Sequence, residues 1–241
     1  MTQPPHPAWT PGIEQPHPAG RVTRKVFAPQ DVPPASMYAF LVSAVVPRPI
    51  ALTATVNAEG LVNMAPFSYF NVVCHRPPVV MISINVPPAG PKDTLANIKA
   101  SGEFTVNIMS EWYVNSANYT CINAPAGYDE MAAGGVAKQP STVVKPPLAA
   151  DAAISFECTV LDPARTGTPM VPLRDDDGNV NTTVVFGLIE QVHVREDVLD
   201  ERGNVDLAKL KPLGRAGGND YVRVLEGFTL RRPAYSEGKQ S

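Results

Sequence analysis

The chain has 241 residues, 44% hydrophobic and 18% charged, enough for a sizeable buried core and too apolar for a disordered tail. Its net charge of -3, from 20 Lys+Arg against 23 Asp+Glu with no basic block, offers no phosphate-neutralising surface and excludes nucleic acid from the expected partners. The 26 prolines favour short strands joined by stiff turns over long helices.

Residues 1–20 carry six prolines and almost no apolar periodicity, which describes an extended polyproline-like arm, either a flexible leader or a segment lying on a partner subunit. The expected organisation is a Pro-rich arm over 1–34, one domain over 35–233 and a tail over 234–241. Met37, Phe40, Leu41 and Ala44 recur at helical spacing and predict a short helix ended by Pro47. The β-branched run from Pro49 to Val56, the turn cluster Asn57-Ala58-Glu59-Gly60 and a second extended run from Leu61 to Val73 predict a hairpin. Val79 to Val86 reads as a strand covered on both faces. The piece from Lys92 to Gly102 reads as a helix, with Asp93 or Thr94 at its N-cap and Gly102 just past its end. Further strands are expected at Glu103 to Met109, Ala152 to Leu161, Thr182 to Val194 and Asp220 to Leu230. Between them come short helices near 111–122, 128–133 and 206–210, a loop over 134–147 and a polar loop over 162–179. Several strands in hairpin-first order with no long helical crossover point to an antiparallel barrel.

Cys74, Cys121 and Cys158 form no CxxC, and the four histidines show no metal-binding spacing, so no metal is expected and the thiols read as reduced. No apolar stretch is long enough to span a bilayer, and the N-terminus lacks a basic start and an apolar region, so no membrane partner and a cytoplasmic location are expected. GxGxxG, GxxxxGK[ST] and GxSxG are absent, and Gly214 to Gly218 is glycine-rich without matching the dinucleotide fingerprint. What remains is a concentration of small polar side chains around the first hairpin: Thr53, Thr55, Asn63, Ser68, Asn71 and, on the next strand, Ser83. Interleaved with Pro66, Phe67, Tyr69 and Phe70, they suit a flat polar heterocycle. Lys92-Asp93-Thr94 at a helix start suits a phosphate. Together these features describe a nucleotide-like cofactor.

Arg48-Pro49-Ile50-Ala51-Leu52, the run from Val62 to Val73 (VNMAPFSYFNVV), Lys92 to Ile98 (KDTLANI) and Gly102 to Asn107 (GEFTVN) resemble the flavin reductase-like, FMN-binding split-barrel family, in particular its flavoredoxin-like members. Weaker matches continue at Phe156-Glu157-Cys158, Val185 to Ile189 and Pro212 to Arg215. The resemblance implies a mainly β, six-stranded antiparallel split barrel of Greek-key type with a few peripheral helices. It also implies a homodimer with an FMN site at each subunit interface, with NADH or NADPH as electron donor. Carried onto this chain, it makes Arg48, Thr53, Ala54, Thr55, Lys92, Asp93 and Thr94 the candidates for phosphate and ribityl. Asn63, Ala65, Pro66, Phe67, Ser68, Phe70, Asn71 and Ser83 become the candidates for the isoalloxazine. His193, Arg215 and Tyr221 are substrate-side candidates, and no catalytic acid or base is assigned. The expected activity is an NAD(P)H-dependent flavin reductase or flavoredoxin-like electron carrier, serving a monooxygenase or other acceptor. A flavoenzyme acting directly on an organic or metal substrate, and an FMN-binding module without turnover, are the alternatives. The arm and the 162–179 loop, with Arg165 and Arg174, are the segments expected to cover the flavin.

Overall fold

The computed structural model describes residues 2–15, 20, 23–125 and 127–234. Apart from Ala234, the expected C-terminal tail lies outside them, as do 1, 16–19 and 21–22 of the arm. Within the arm, Thr2 forms a parallel bridge to Phe228, its N–H donating to the Gly227 carbonyl at 2.8 Å. Among the described residues no helix is long and apolar enough to cross a membrane.

Helix α1 (Pro34–Ala44) starts earlier than the apolar spacing suggests, because Pro34 at its first turn supplies a helical φ and lacks an N–H that would need a partner. Four strands follow: β1 (Arg48–Pro49), β2 (Ala51–Val56), β3 (Val62–Phe67) and β4 (Phe70–His75). The expected hairpin is present, with Val56 opposite Val62 and Asn57 closing the loop by accepting the N–H groups of Glu59 and Leu61. Its second run is broken at Ser68–Tyr69 into β3 and β4. Then come β5 (Pro78–Asn85), α2 (Asp93–Ser101) and β6 (Glu103–Ile108), followed by the short helices α3 (Val114–Tyr119) and α4 (Glu130–Gly134). The remaining strands are β7 (Lys138–Gln139), β8 (Leu148–Ala149), β9 (Ile154–Val160), β10 (Met170–Arg174), β11 (Val180–Val194), β12 (Leu213–Arg215) and β13 (Tyr221–Arg223).

The main sheet has the order β3-β2-β6-β9-β11-β5-β4, all antiparallel, with β10 paired to β11. Its two end strands, β3 and β4, are consecutive in the chain, so the sheet curls on itself. Taken as one bent stave, they make a six-position barrel. β1, β12 and β13 form a separate small sheet.

Period-two alternation sends Ala51, Thr53 and Thr55 to one face of β2 and Leu52 and Ala54 to the other. Both faces are covered. Ala51 joins the barrel core with Phe67, Ile82, Ile84, Phe104, Val106 and Val185, while Leu52 and Ala54 pack with Met64, Ala117 and Met131 under α3 and α4. The strand buried on both faces is therefore β2, not β5, whose Met81 and Ser83 are only half-buried. Helix α2 stops the barrel by inserting Leu95 and Ile98 into that core, and it ends as expected at Gly102 in the left-handed conformation (φ 72°).

Three expectations need correction. The 162–179 segment is no plain loop, because Met170–Arg174 pairs with the first half of β11. The last strand is only Tyr221–Arg223, and a further strand, β12, forms where none was expected. α2 is N-capped by Lys92, whose side chain makes no capping bond, not by Asp93 or Thr94.

Gly187 on β11 faces the Phe104 ring, and a Cβ there would sit 2.3 Å from Phe104 Cζ. Gly187→Ala is expected to cost about 1–3 kcal/mol of stability by overpacking, read as a lower urea midpoint with unchanged far-UV circular dichroism.

Candidate functional site

Among the described residues the outer edge of β3 has no strand partner, since β2 occupies its other side and Pro66 lacks the N–H that a further strand would need. Against this edge lies a cleft of about 260 Å3, walled by Asn63 to Pro66, by Lys92, Asp93 and Thr94, by Thr120 to Ala124 and by Glu130. A second cleft of about 130 Å3 shares Pro66 and Lys92 with it and is lined by Tyr38, Phe67, Ser68, Tyr69, Ser83 and Asn85. Together they follow the seam where β3 and β5 diverge, beyond the last bond that joins them through the bend, Ser83 N–H to the Tyr69 carbonyl (2.8 Å).

Most of the isoalloxazine candidates meet here. Asn63, Ala65 and Pro66 line the larger cleft, and Pro66, Phe67, Ser68 and Ser83 the smaller. Asn63 is held by its amide, which donates to Thr94 Oγ1 at 2.8 Å and Thr55 Oγ1 at 3.3 Å. Thr55 Oγ1 also accepts from Asn97 Nδ2 at 3.0 Å, so strand, hairpin and helix are tied behind the cleft wall.

Lys92, Asp93 and Thr94 also line the larger cleft. The first backbone bond of α2 is Ala96 N–H to the Lys92 carbonyl, and no side chain caps the turn. The N–H groups of the first turn therefore lack helix partners. Among the described residues the Lys92 ammonium forms no ion pair, and it lies 5.9 Å from the centroid of the Phe67 ring. An uncapped helix start of nine residues, an unpaired ammonium and a hydroxyl on one cleft fit an anionic phosphate.

Several candidates lie elsewhere. Thr53, Ala54 and Thr55 have no exposed surface, because β2 is covered on both faces, so they support the wall from behind. Phe70 is 6% exposed and packs into the barrel core. Asn71 is exposed, and its side-chain oxygen accepts the Val72 N–H at 2.8 Å. The Arg48 guanidinium is buried and makes four hydrogen bonds: it donates to the Val42 carbonyl, to the Val45 and Ala216 carbonyls at 2.8 Å each, and through Nε to Ser68 Oγ at 3.4 Å. It closes the C-terminal end of α1 and positions Ser68 instead of facing a phosphate.

His193 is remote from both clefts. Its Nε2 lies 2.6 Å from Oε1 of Glu157, a carboxylate with no exposed surface. Glu157 also accepts from Thr142 N–H (2.8 Å) and Oγ1 (2.7 Å), Val143 N–H (2.6 Å) and Val144 N–H (3.0 Å). Burial alone would raise its pKa, but these donors overcome that and hold it down to about 2. Arg215 stacks on Tyr221, 4.5 Å from the ring centroid, and Tyr221 Oη donates to Asn118 Oδ1 at 2.7 Å, just before the Thr120 to Ala124 wall. Neither lines the clefts, nor does any residue of 162–179.

Sequence reasoning missed the wall from Thr120 to Ala124 and missed Glu130 entirely. A glutamate one place into a short amphipathic helix carries no signal that it faces inward.

Residues 43–213 match the family described as flavin reductase like domain. An uncharacterised protein of Halalkalibacterium halodurans is 34% identical over 204 residues, 84% of this chain and 94% of its own. Among solved structures, nitrilotriacetate monooxygenase component B from Bacillus cereus superposes with a TM-score of 0.81 at 29% identity, over 87% of this chain and 100% of that one. The 2-nitrobenzoate 2-nitroreductase of Pseudomonas fluorescens gives 0.75, also at 29% identity, over 89% of this chain and 100% of its own.

Proposed function

The chain belongs to the flavin reductase-like family, and from that premise we propose that it is an FMN-dependent NAD(P)H:flavin oxidoreductase, with FMN held in the paired clefts along β3. The observation that carries this reading is the α2 start, where an unpaired Lys92, Thr94 and uncapped N–H groups share one cleft with the partnerless β3 edge. When bound, the isoalloxazine supplies the two-electron chemistry that links a nicotinamide to an acceptor. The chain's own residues bind and orient. Lys92 and the α2 N–H groups would fix the phosphate, and the β3 edge at Ala65 and Pro66 would border the ring. The ring of Phe67 and the hydroxyls of Ser68 and Ser83 line the inner end. No side chain in either cleft is required as a general acid or base for hydride transfer, which depends on stacking and distance.

A homodimer belongs to the same proposal. Helix α1 buries only Val42, leaving Tyr38, Phe40, Leu41 and the following Val45 and Val46 exposed, and β4 leaves Val72 and Val73 exposed. Apolar surface of this kind on an element that also lines the smaller cleft through Tyr38 and Val42 suits a second copy closing the site. Sedimentation is expected to give twice the chain mass.

The likeness to a nitroreductase favours a second reading, in which the flavin acts directly on an organic acceptor. The test is an anaerobic visible spectrum after FMN addition, before and after NADH and then NADPH. Bleaching of bound flavin by one nucleotide is the expected result. A bound flavin that neither nucleotide bleaches would favour a carrier fed by another reductase, and the absence of bound flavin would overturn the proposal. Reoxidation of the bleached flavin by a nitroaromatic faster than by free FMN would select the second reading.

A further inference from the structure

One carboxyl in the larger cleft is not accounted for by the α2 start. Glu130 opens α4, is only 6% exposed and shares the cleft with Lys92, Asp93 and Thr94. Among the described residues one other residue donates to its side chain, through the Met64 N–H at 3.4 Å, at the long limit for such a bond, and its own N–H adds to it. The charged and titratable groups around it are few. Asp129 precedes it on its own helix and is already paired with Lys138. Helix α2 brings Asp93, with Lys92 just before it, the one cation lining the cleft among the described residues. Strand β3 contributes only backbone. Helix α3 and the turn after it bring Tyr119, which bonds Tyr128 at 3.3 Å, and Cys121.

We propose that Glu130 serves the FMN site as a neutral carboxylic acid, a hydrogen-bond donor to the phosphate-ribityl tail whose ionised form repels that tail. The inference rests on the reading of this cleft as the FMN site. An ionised Glu130 would place a third negative group beside Asp93 and a phosphate, in a cleft of about 260 Å3 with one ammonium to offset them. A proton on Glu130 removes that repulsion and converts an acceptor into a donor, which matches the oxygens of a phosphate and a polyol. Burial already raises its pKa above the ordinary carboxylate value, with Asp93 and Asp129 adding to the push against the N–H groups that favour the charged form. A phosphate raises it further, so FMN binding draws a proton into the cleft, and FMN affinity falls as pH rises past the value for the free protein.

The test compares wild-type protein with Glu130→Gln, a near-isosteric change that keeps an acceptor for Met64 N–H and stays neutral. FMN fluorescence quenching is titrated between pH 5 and pH 9, with riboflavin as a probe that lacks the phosphate. The two proteins are expected to bind FMN alike at the acid end. Wild type then weakens relative to the variant by up to about tenfold per pH unit once Glu130 ionises, and riboflavin shows a smaller divergence. The phosphate's own ionisation is common to both proteins and cancels in the ratio. A variant weaker than wild type by a constant factor at every pH would overturn the proposal, since it would mean that the carboxylate acts as an acceptor, and a ratio of one throughout would do the same. Calorimetry of FMN binding to wild type, in buffers of different ionisation enthalpy, gives an independent reading: proton uptake supports the inference and its absence sinks it, even if the variant fails to fold. Failure of both proteins to bind FMN at any pH would instead overturn the assignment of the cleft.

Discussion

Glu157→Ala is expected to destabilise the protein by about 3–5 kcal/mol, the largest single-residue effect outside the hydrophobic core. The carboxylate has no exposed surface and gathers the Thr142, Val143 and Val144 N–H groups, the Thr142 hydroxyl and His193. Truncation leaves three backbone donors and a histidine facing a void, with the 141–147 loop loosened from β9. What remains is Lys145 N–H to Glu103 Oε2 (2.9 Å) and Thr105 Oγ1 to the Pro147 carbonyl (2.8 Å), both beyond the stretch that Glu157 gathers. The same group sets an acid limit. Its folded-state pKa is held down to about 2 from the ordinary 4.5, so its stabilisation is complete above the ordinary carboxylate range and is lost as pH falls from about 4.5 towards 2. Urea unfolding at neutral pH and at steps below pH 5 should show wild type losing on the order of 3 kcal/mol across that window. The alanine variant should show a correspondingly shallower acid dependence. Equal slopes for the two proteins would contradict the account.

Lys92→Ala is expected to weaken FMN binding by about tenfold to a hundredfold, the range for losing one charge-assisted hydrogen bond. The fold should be untouched, because Lys92 is exposed and forms no ion pair among the described residues. Riboflavin affinity should hardly change, and the loss for FMN should shrink at high salt, where the wild-type ammonium is itself screened. Thr94→Ala is a different experiment, since Thr94 Oγ1 also accepts from Asn63. Its effect should extend to riboflavin as the Asn63 amide is released. Unchanged FMN affinity in Lys92→Ala would remove the phosphate from the α2 start.

The parts of the architecture legible in the sequence were those fixed by local chemistry. The Asn57 to Gly60 turn sets the β2–β3 register, and Gly102 ends α2 because it can adopt a left-handed backbone. The cleft was half legible. Asn63, Pro66, Ser68, Ser83, Lys92, Asp93 and Thr94 could be gathered from their chemistry and from the family resemblance, because they lie on neighbouring stretches of chain. What stayed hidden depended on partners distant in sequence. Arg48 reads as an anion ligand until it is found among the carbonyls of Val42, Val45 and Ala216. His193 reads as a substrate-side candidate until β9 places Glu157 beside it. Strand β10 was concealed by Pro172 and by the polar residues around it, although an outer strand tolerates a proline. Thr53 and Thr55 have the right chemistry for a site, but β2 is covered on both faces, so their hydroxyls serve the interior.

The divergence of β3 from β5 has a mechanical consequence. A barrel whose staves part along one seam resists opening less there than anywhere else, and both clefts run along that seam. A ligand seated between Pro66 and Phe67 on one side and Ser83 and Asn85 on the other acts as a wedge that locks the joint. If the proposed flavin binds there, occupancy stabilises the folded barrel by mass action, and the melting temperature is expected to rise with flavin concentration. Retention of the bound molecule and durability of the scaffold become one property, so whatever tightens the grip at the seam also prolongs the life of the fold.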